Sequence, residues 1–187
     1  MKLFLIKTFG FILLLSLVLF GLEYSYASIE SDYSYKSTYL EKTSNKVNNL
    51  ILGSSHAYYG INPEYFQKPT FNLAHVSQSL DLDVYLLEKF KRNTNCENII
   101  IPISYFSFNH SLMDSKESWR MTNYYYYYGF EDVKTKDKFF LATHKNGFIH
   151  TLIKAVINSS SARRYVDDNG FSEAKHDASN VSIENAE

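Results

Sequence analysis

Cysteine is almost absent: Cys96 is the only one in the chain. No disulfide can form within it, and no cysteine sits near the amino terminus to carry a lipid. The fold must therefore stand on its own core. Excess charge of one sign is also missing. Lys+Arg number 19 against 20 Asp+Glu, for a formal net charge of -1, and the two signs are interspersed. That excludes a basic nucleic-acid surface. The 6 histidines (His56, His75, His110, His144, His150, His176) form no HExxH, and a lone cysteine forms no CxxC, so the sequence predicts no metal site. Neither GxGxxG nor GxxxxGK occurs, which removes the phosphate-cradling loops and leaves no cofactor signature. Prolines are only 3, whereas tyrosines number 16 and phenylalanines 14. Such aromatic content argues against disorder and suits a folded domain with aromatic-lined surfaces.

What is present begins with an apolar run that contains no charge, Phe9 to Leu22. Lys2 and Lys7 precede it, and Glu23, Glu30 and Asp32 follow. A basic start, an apolar run and a polar exit describe residues 1–27 as a signal anchor or a signal peptide. Counted from Leu3, the run reaches ~20 residues, enough to span a bilayer as an anchor. Ser25-Tyr26-Ala27 fits a small-x-small cleavage site, which favours a peptide that is removed. Either way the positive end stays in the cytoplasm and the remainder is exported.

Residues 28–45 are polar and rich in Tyr and Ser, a linker or a juxtamembrane helix. Lys46 to Leu52 then reads as a strand and runs into Gly53-Ser54-Ser55-His56. Pro69 to Ala74 is a second strand, Ser79 to Arg92 an amphipathic helix, and Asn98 to Ser104 a third strand. Strand, helix, strand with Gly/Ser turns at the strand ends predicts an α/β fold with a parallel sheet. In such sheets ligands bind at the carboxyl ends of the strands. A serine just past Gly53 is a candidate nucleophile there, and a helix cap is the plainer alternative. The five consecutive tyrosines, Tyr124 to Tyr128, pack on the core or line a groove. Lys138 to Ile157 looks helical with Gly147 as its weak point. After Ser161 the chain turns polar, and no further strand or helix is visible in it.

Gly53-Ser54-Ser55-His56 at a strand end, followed by Asn72-Leu73-Ala74-His75-Val76-Ser77, resembles the SGNH (GDSL-type) hydrolase family. The likeness covers about Lys46 to Asn109. It is nearest to exported, membrane-anchored members linked to acylation of cell-surface polysaccharides. By that resemblance Ser55 is the nucleophile and its backbone amide helps to bind the oxyanion. Asn72-Leu73-Ala74 stands for the family's Asn-x-Gly, and Ser77 takes the place of a glycine whose amide is an oxyanion donor. Ser107 or Asn109 stands in for the third block's asparagine. For the general base, Glu173-Ala174-Lys175-His176 is the nearest string to the family's Asp-x-x-His, and His75 is the alternative. The resemblance implies a three-layer, flavodoxin-like parallel sheet over residues 46–187, incomplete at its carboxyl-terminal end. It implies an exported serine esterase or O-acyltransferase at a bacterial cell envelope, acting on an acylated glycan or a small ester and held to the membrane by the amino-terminal helix. A non-catalytic scaffold or glycan-binding protein of the same fold is the alternative.

Overall fold

The computed structural model describes residues 1–43, 46–91, 95–144, 147–158 and 163–172. The apolar leader forms one helix, α1 (Lys2–Ala27), with no acid in its first turn and no base in its last. No residue of its most apolar stretch is buried in the molecule. Only Glu23 and Tyr26 in its last turn are buried. A helix apolar all round and bare is one suited to lipid.

Residues 28–45 hold a helix packed into the domain, α2 (Asp32–Thr43). Its buried residues Tyr33, Lys36, Ser37 and Leu40 fall at i, i+3, i+4 and i+7, a single face of the helix. That face is half polar, which is why hydropathy alone left the segment open.

Three short parallel strands follow: β1 (Asn49–Ile51), β2 (Thr70–Asn72) and β3 (Asn98–Ile100), ordered β2-β1-β3. Leu50 lies opposite Phe71 on one side and Ile99 on the other. The class is therefore α/β with a small parallel sheet, beside an amino-terminal apolar helix. The ladder extends a little past the named strands, with Leu73 N donating to Ile51 O and Leu52 N to Ile100 O. It ends near Pro69 and Pro102, which have no N–H to give.

Between the strands run α3 (Ser55–Gly60) and α4 (Leu80–Lys91). In α4, Leu82, Leu86 and Phe90 recur every fourth residue and are buried. Burying each stabilises by ~2 kcal/mol relative to exposure. The tyrosine run continues α5 (Met121–Asn123) as a wider π-helical turn, Tyr124–Tyr128. Gly129 stops it in the left-handed region at φ 71°. Tyr124 and Tyr128 go fully into the core; Tyr126 stays at the surface. The stretch 138–157 is two helices rather than one, α6 (Phe140–Thr143) and α7 (Phe148–Asn158), with the break beside Gly147.

Residues 163–172 have no regular secondary structure, yet they finish the sheet. Asn169 O accepts from Asn72 N on the outer edge of β2. Gly170 lies so close that a Cβ there would sit 2.2 Å from the Asn72 carbonyl oxygen, at φ +78°. Only glycine fits both the space and the angle.

A candidate serine site at the strand ends

The end of β1 turns sharply because Gly53 adopts φ +118°. A Cβ there would come within 3.2 Å of Pro102 Cδ and 3.4 Å of Ala57 Cβ, so the turn is pinched between the β3 side and α3. Ser54 takes the N-cap position, and its carbonyl accepts from the amides of Ala57 and Tyr58 at 3.0 Å. Its hydroxyl makes no capping bond, so side-chain capping does not account for the serine pair. Ser55 is the first residue of α3, where a backbone amide has no intrahelical acceptor.

Below this turn sits a buried carboxylate. Asp83 Oδ1 accepts from Gly53 N at 2.8 Å and from Gln78 Nε2 at 2.5 Å. Gln78 Oε1 in turn accepts from the Tyr124 hydroxyl at 2.8 Å. Burial pushes the Asp83 carboxyl up to about 6, against the pull of the Gln78 and Gly53 hydrogen bonds. Aspartate in the first turn of α4 thus fixes the backbone of the serine turn.

The end of β2 lies alongside, with His75 N donating to Gly53 O at 3.2 Å. Asn72 is a positioning residue. Its Nδ2 donates to Ala57 O and Ile61 O, and its Oδ1 accepts from Ala74 N. It therefore ties β2 to both ends of the second half of α3. Ser77 has φ +61°, alone among the described non-glycine residues in being positive. Its hydroxyl donates to Glu117 Oε2 at 2.6 Å, and its carbonyl accepts from His110 Nε2 at 3.1 Å. A carbonyl only accepts, so Nε2 of His110 carries the proton. Arg120 Nε donates to the same Glu117 oxygen at 2.7 Å. The Ser77 hydroxyl, more than Arg120, holds that carboxyl below its ordinary value. No acceptor for the Ser77 amide occurs among the described residues.

The His75 N–Gly53 O bond ties the end of β2 to the end of β1, and no described histidine is hydrogen-bonded to Ser55. His75 is fully buried, stacked on Tyr33 at 3.8 Å between centroids, with Nε2 at 2.8 Å from the Tyr128 hydroxyl. Burial pushes its pKa well below the ordinary range, with the charges of Lys36 and Arg120 adding to the effect. No hydrogen bond joins it to Ser55, so this neutral core ring is not placed as the base. His56 is exposed against Phe106. His176 lies outside the described residues. The third-block substitutes are engaged locally. Ser107 Oγ accepts from Ser104 N and its own amide donates to Ser104 O. Asn109 N donates to Phe106 O, and its side chain is at the surface. Both backbone amides are engaged in these local turns.

Two residues that sequence reading passed over stand close by. His110 shares a cavity of about 20 Å³, one water's room, with Ser54, Gln78, Asp83 and Ser107. Its only sequence signal is its place just after Asn109. Lys36 is fully buried, with Nζ donating to Ala74 O at 2.6 Å and lying 4.7 Å from the Tyr58 ring centre. Burial pulls its pKa down to about 7, against the attraction of Asp32 and Asp167.

On the other side of α3 opens a cleft of about 1040 Å³, lined among others by Tyr59, Val76, Trp119, Arg120, Arg163 and Tyr165. Tyr59 of α3 and Val76, the residue before Ser77, form part of its wall. Arg163 lies over the Tyr26 ring at 4.4 Å and donates to Tyr26 O and Asn123 Oδ1. Arg120 lies over Trp119 at 4.4 Å. The cleft thus presents aromatic faces and fixed hydrogen-bond donors together. Among the described residues no group of three or more His, Cys, Asp or Glu could hold a metal ion.

In class, then, this is a parallel α/β domain with a serine turn at the carboxyl end of its central strand. Searches of protein families, of characterised proteins and of solved structures found no match to the chain.

Proposed function

We propose that the chain is an SGNH-type serine esterase or O-acyltransferase acting on an acylated cell-surface glycan, with Ser55 as nucleophile. The observation that carries this reading is Ser77. Ser77, five residues past β2, is held at φ +61°; among the described residues its amide has no acceptor, and two positions before it His75 N donates to Gly53 O. Strain of that kind costs on the order of 1–3 kcal/mol and gathers at functional turns. In the proposed reaction Ser55 Oγ attacks the ester carbonyl, and its proton passes to a histidine. The amides of Ser55 and Ser77 hold the oxyanion. The glycan oxygen leaves with the proton, and water or a sugar hydroxyl then takes the acyl group from Ser55. The resemblance leaves His176 or His75 as proton acceptor; we take His176, because His75 is engaged with Tyr33 and Tyr128. The aromatic and arginine-lined cleft would seat the sugar, and the sheet would be the core of a larger flavodoxin-like one. The amino-terminal helix would anchor the domain on the extracytoplasmic face of the envelope.

A second reading, a non-catalytic glycan-binding protein, is favoured by one observation: no described histidine bonds to Ser55. A fluorophosphonate probe separates the two. The full chain in detergent is expected to gain one adduct at Ser55, lost in Ser55→Ala. A folded chain that gains none would overturn the catalytic reading and leave the binding one.

A further inference from the structure

The helix α7 carries two apolar faces, and only one of them is used. Phe148, Leu152 and Ala155 pack with Tyr26, Ile29 and Phe140 at the end of α1. Phe148 stacks on Tyr26 at 4.6 Å and 9°. Beside that face, Ile149, Ile153, Val156 and Ile157 stand out at i, i+4, i+7 and i+8, exposed by 70, 52, 87 and 73 %. Four large aliphatic side chains in one stripe are a patch, not scattered surface residues. Exposed His150 and Lys154 flank the stripe beside Ile157, on the edge away from Phe148 and Leu152.

Where α7 sits decides what covers the stripe. The bare apolar run of α1 ends at Leu22, and Glu23 is already tied into the domain, accepting from the amides of Phe140 and Leu141. Tyr26, on which α7 is stacked, is four residues further, ~6 Å along the axis. The headgroup layer on each side of the hydrocarbon is of that same thickness, roughly 5–7 Å. A helix with an apolar stripe, a cationic polar edge and a place at that depth has the make-up of an interfacial helix.

We infer that α7 lies in the membrane interface beside the exit of α1, its Ile149/Ile153/Val156/Ile157 stripe in the acyl boundary and Lys154 among the phosphates. The inference rests on α1 spanning the bilayer. It makes the domain a body seated on the lipid at two points, α1 and α7, not one swinging on a tether. The cleft, lined by Tyr26 and Arg163 on the same side of the domain, then opens close to the bilayer.

The test uses the full chain carrying Cys96→Ser, reconstituted in vesicles of phosphatidylcholine with a phosphatidylglycerol fraction. A nitrobenzoxadiazole label is placed at Ile153→Cys, Lys154→Cys or, as a distant control, Tyr65→Cys. The label at 153 is expected to shift to the blue and to be quenched about two-fold more by shallow spin-labelled lipid than the label at 154. The label at 65 should stay in water. Equal, water-like emission at 153 and 154 overturns the inference. So does a blue-shifted label at 153 that lipid does not quench but inter-chain crosslinking reports, for then a second copy covers the stripe. Carbonate extraction is read separately. Release of the unlabelled chain from the vesicles would remove the α1 span itself, and the α7 inference with it, while leaving the serine chemistry untouched.

Discussion

The two edges of the sheet have opposite surroundings. The outer side of β2 is closed. Asn169 pairs with its backbone, Gly170 presses on its carbonyl, Tyr39 stacks on Phe71 at 4.3 Å and Lys36 reaches Ala74 O. At the outer side of β3, Asn98 and Ile99 are exposed, and so are Ile103, Tyr105 and Phe108 in the loop beyond. That loop is held by local turns, Ser107 to Ser104 and Asn109 to Phe106. By composition the order would be reversed, since Asn98-Ile99-Ile100-Ile101 is more aliphatic than Thr70-Phe71-Asn72. Apolar content predicts that a strand forms. Whether it is covered depends on segments distant in sequence, here α2 and residues 163–172, which close over β2.

The sharpest way to break this contrast is Gly170→Ala. A methyl group 2.2 Å from a carbonyl oxygen forces residues 163–172 off β2, and a loss of about 3 kcal/mol or more in urea unfolding is expected. A loss below ~0.5 kcal/mol would show that the segment does not hold the edge.

Next in size is a pH effect at Lys36. Its pKa falls from 10.5 unfolded to about 7 folded. Between those values the unfolded chain binds the extra proton, so stability rises as pH climbs from 7 towards 10. The rise should be on the order of 2 kcal/mol and should vanish in Lys36→Met. Readings belong below about pH 9.5, because buried Tyr124 and Tyr128, pushed well above the usual phenol range, add an opposing fall at higher pH. An unchanged slope in Lys36→Met would place the titration elsewhere.

The smallest effects sharpen the open side. Ile99→Ser and Ile103→Ser are each expected to cost no more than ~1 kcal/mol in unfolding stability, because both side chains are about half exposed. A cost near 2 kcal/mol in the full chain would show that something buries this edge in solution.

Much of the skeleton was legible. The uncharged run of α1, the four-residue spacing of Leu82, Leu86 and Phe90, and the apolar strands ending in Gly53 and Ala74 are local patterns. Local patterns follow from helix and strand periodicity. At the site, Gly53 and Ser55 stood out because a sharp turn demands particular residue types, and Ser77 only through the family resemblance. Residues 28–45 stayed open between a linker and a helix, since the buried face of α2 includes Lys36 and Ser37. Nor was the place of residues 163–172, whose polar backbone bonds carry no hydropathy signal. His75 looked available because it ends a strand. Its ring instead fills an aromatic cluster assembled from α2 and the tyrosine turn, about 40 and 50 residues away.

By itself, then, the sequence determined the apolar helix, the βαβ order and the glycine turn that lifts Ser55 to a strand end. These depend on neighbours within a few positions, where side-chain period and backbone freedom act directly. Only the tertiary structure decided which histidine is buried, which lysine loses its water, that Asp83 grips Gly53, and that Ser77 is held left-handed. Each of these is set by groups from distant segments meeting in one place, and burial and hydrogen bonding act only once they have met.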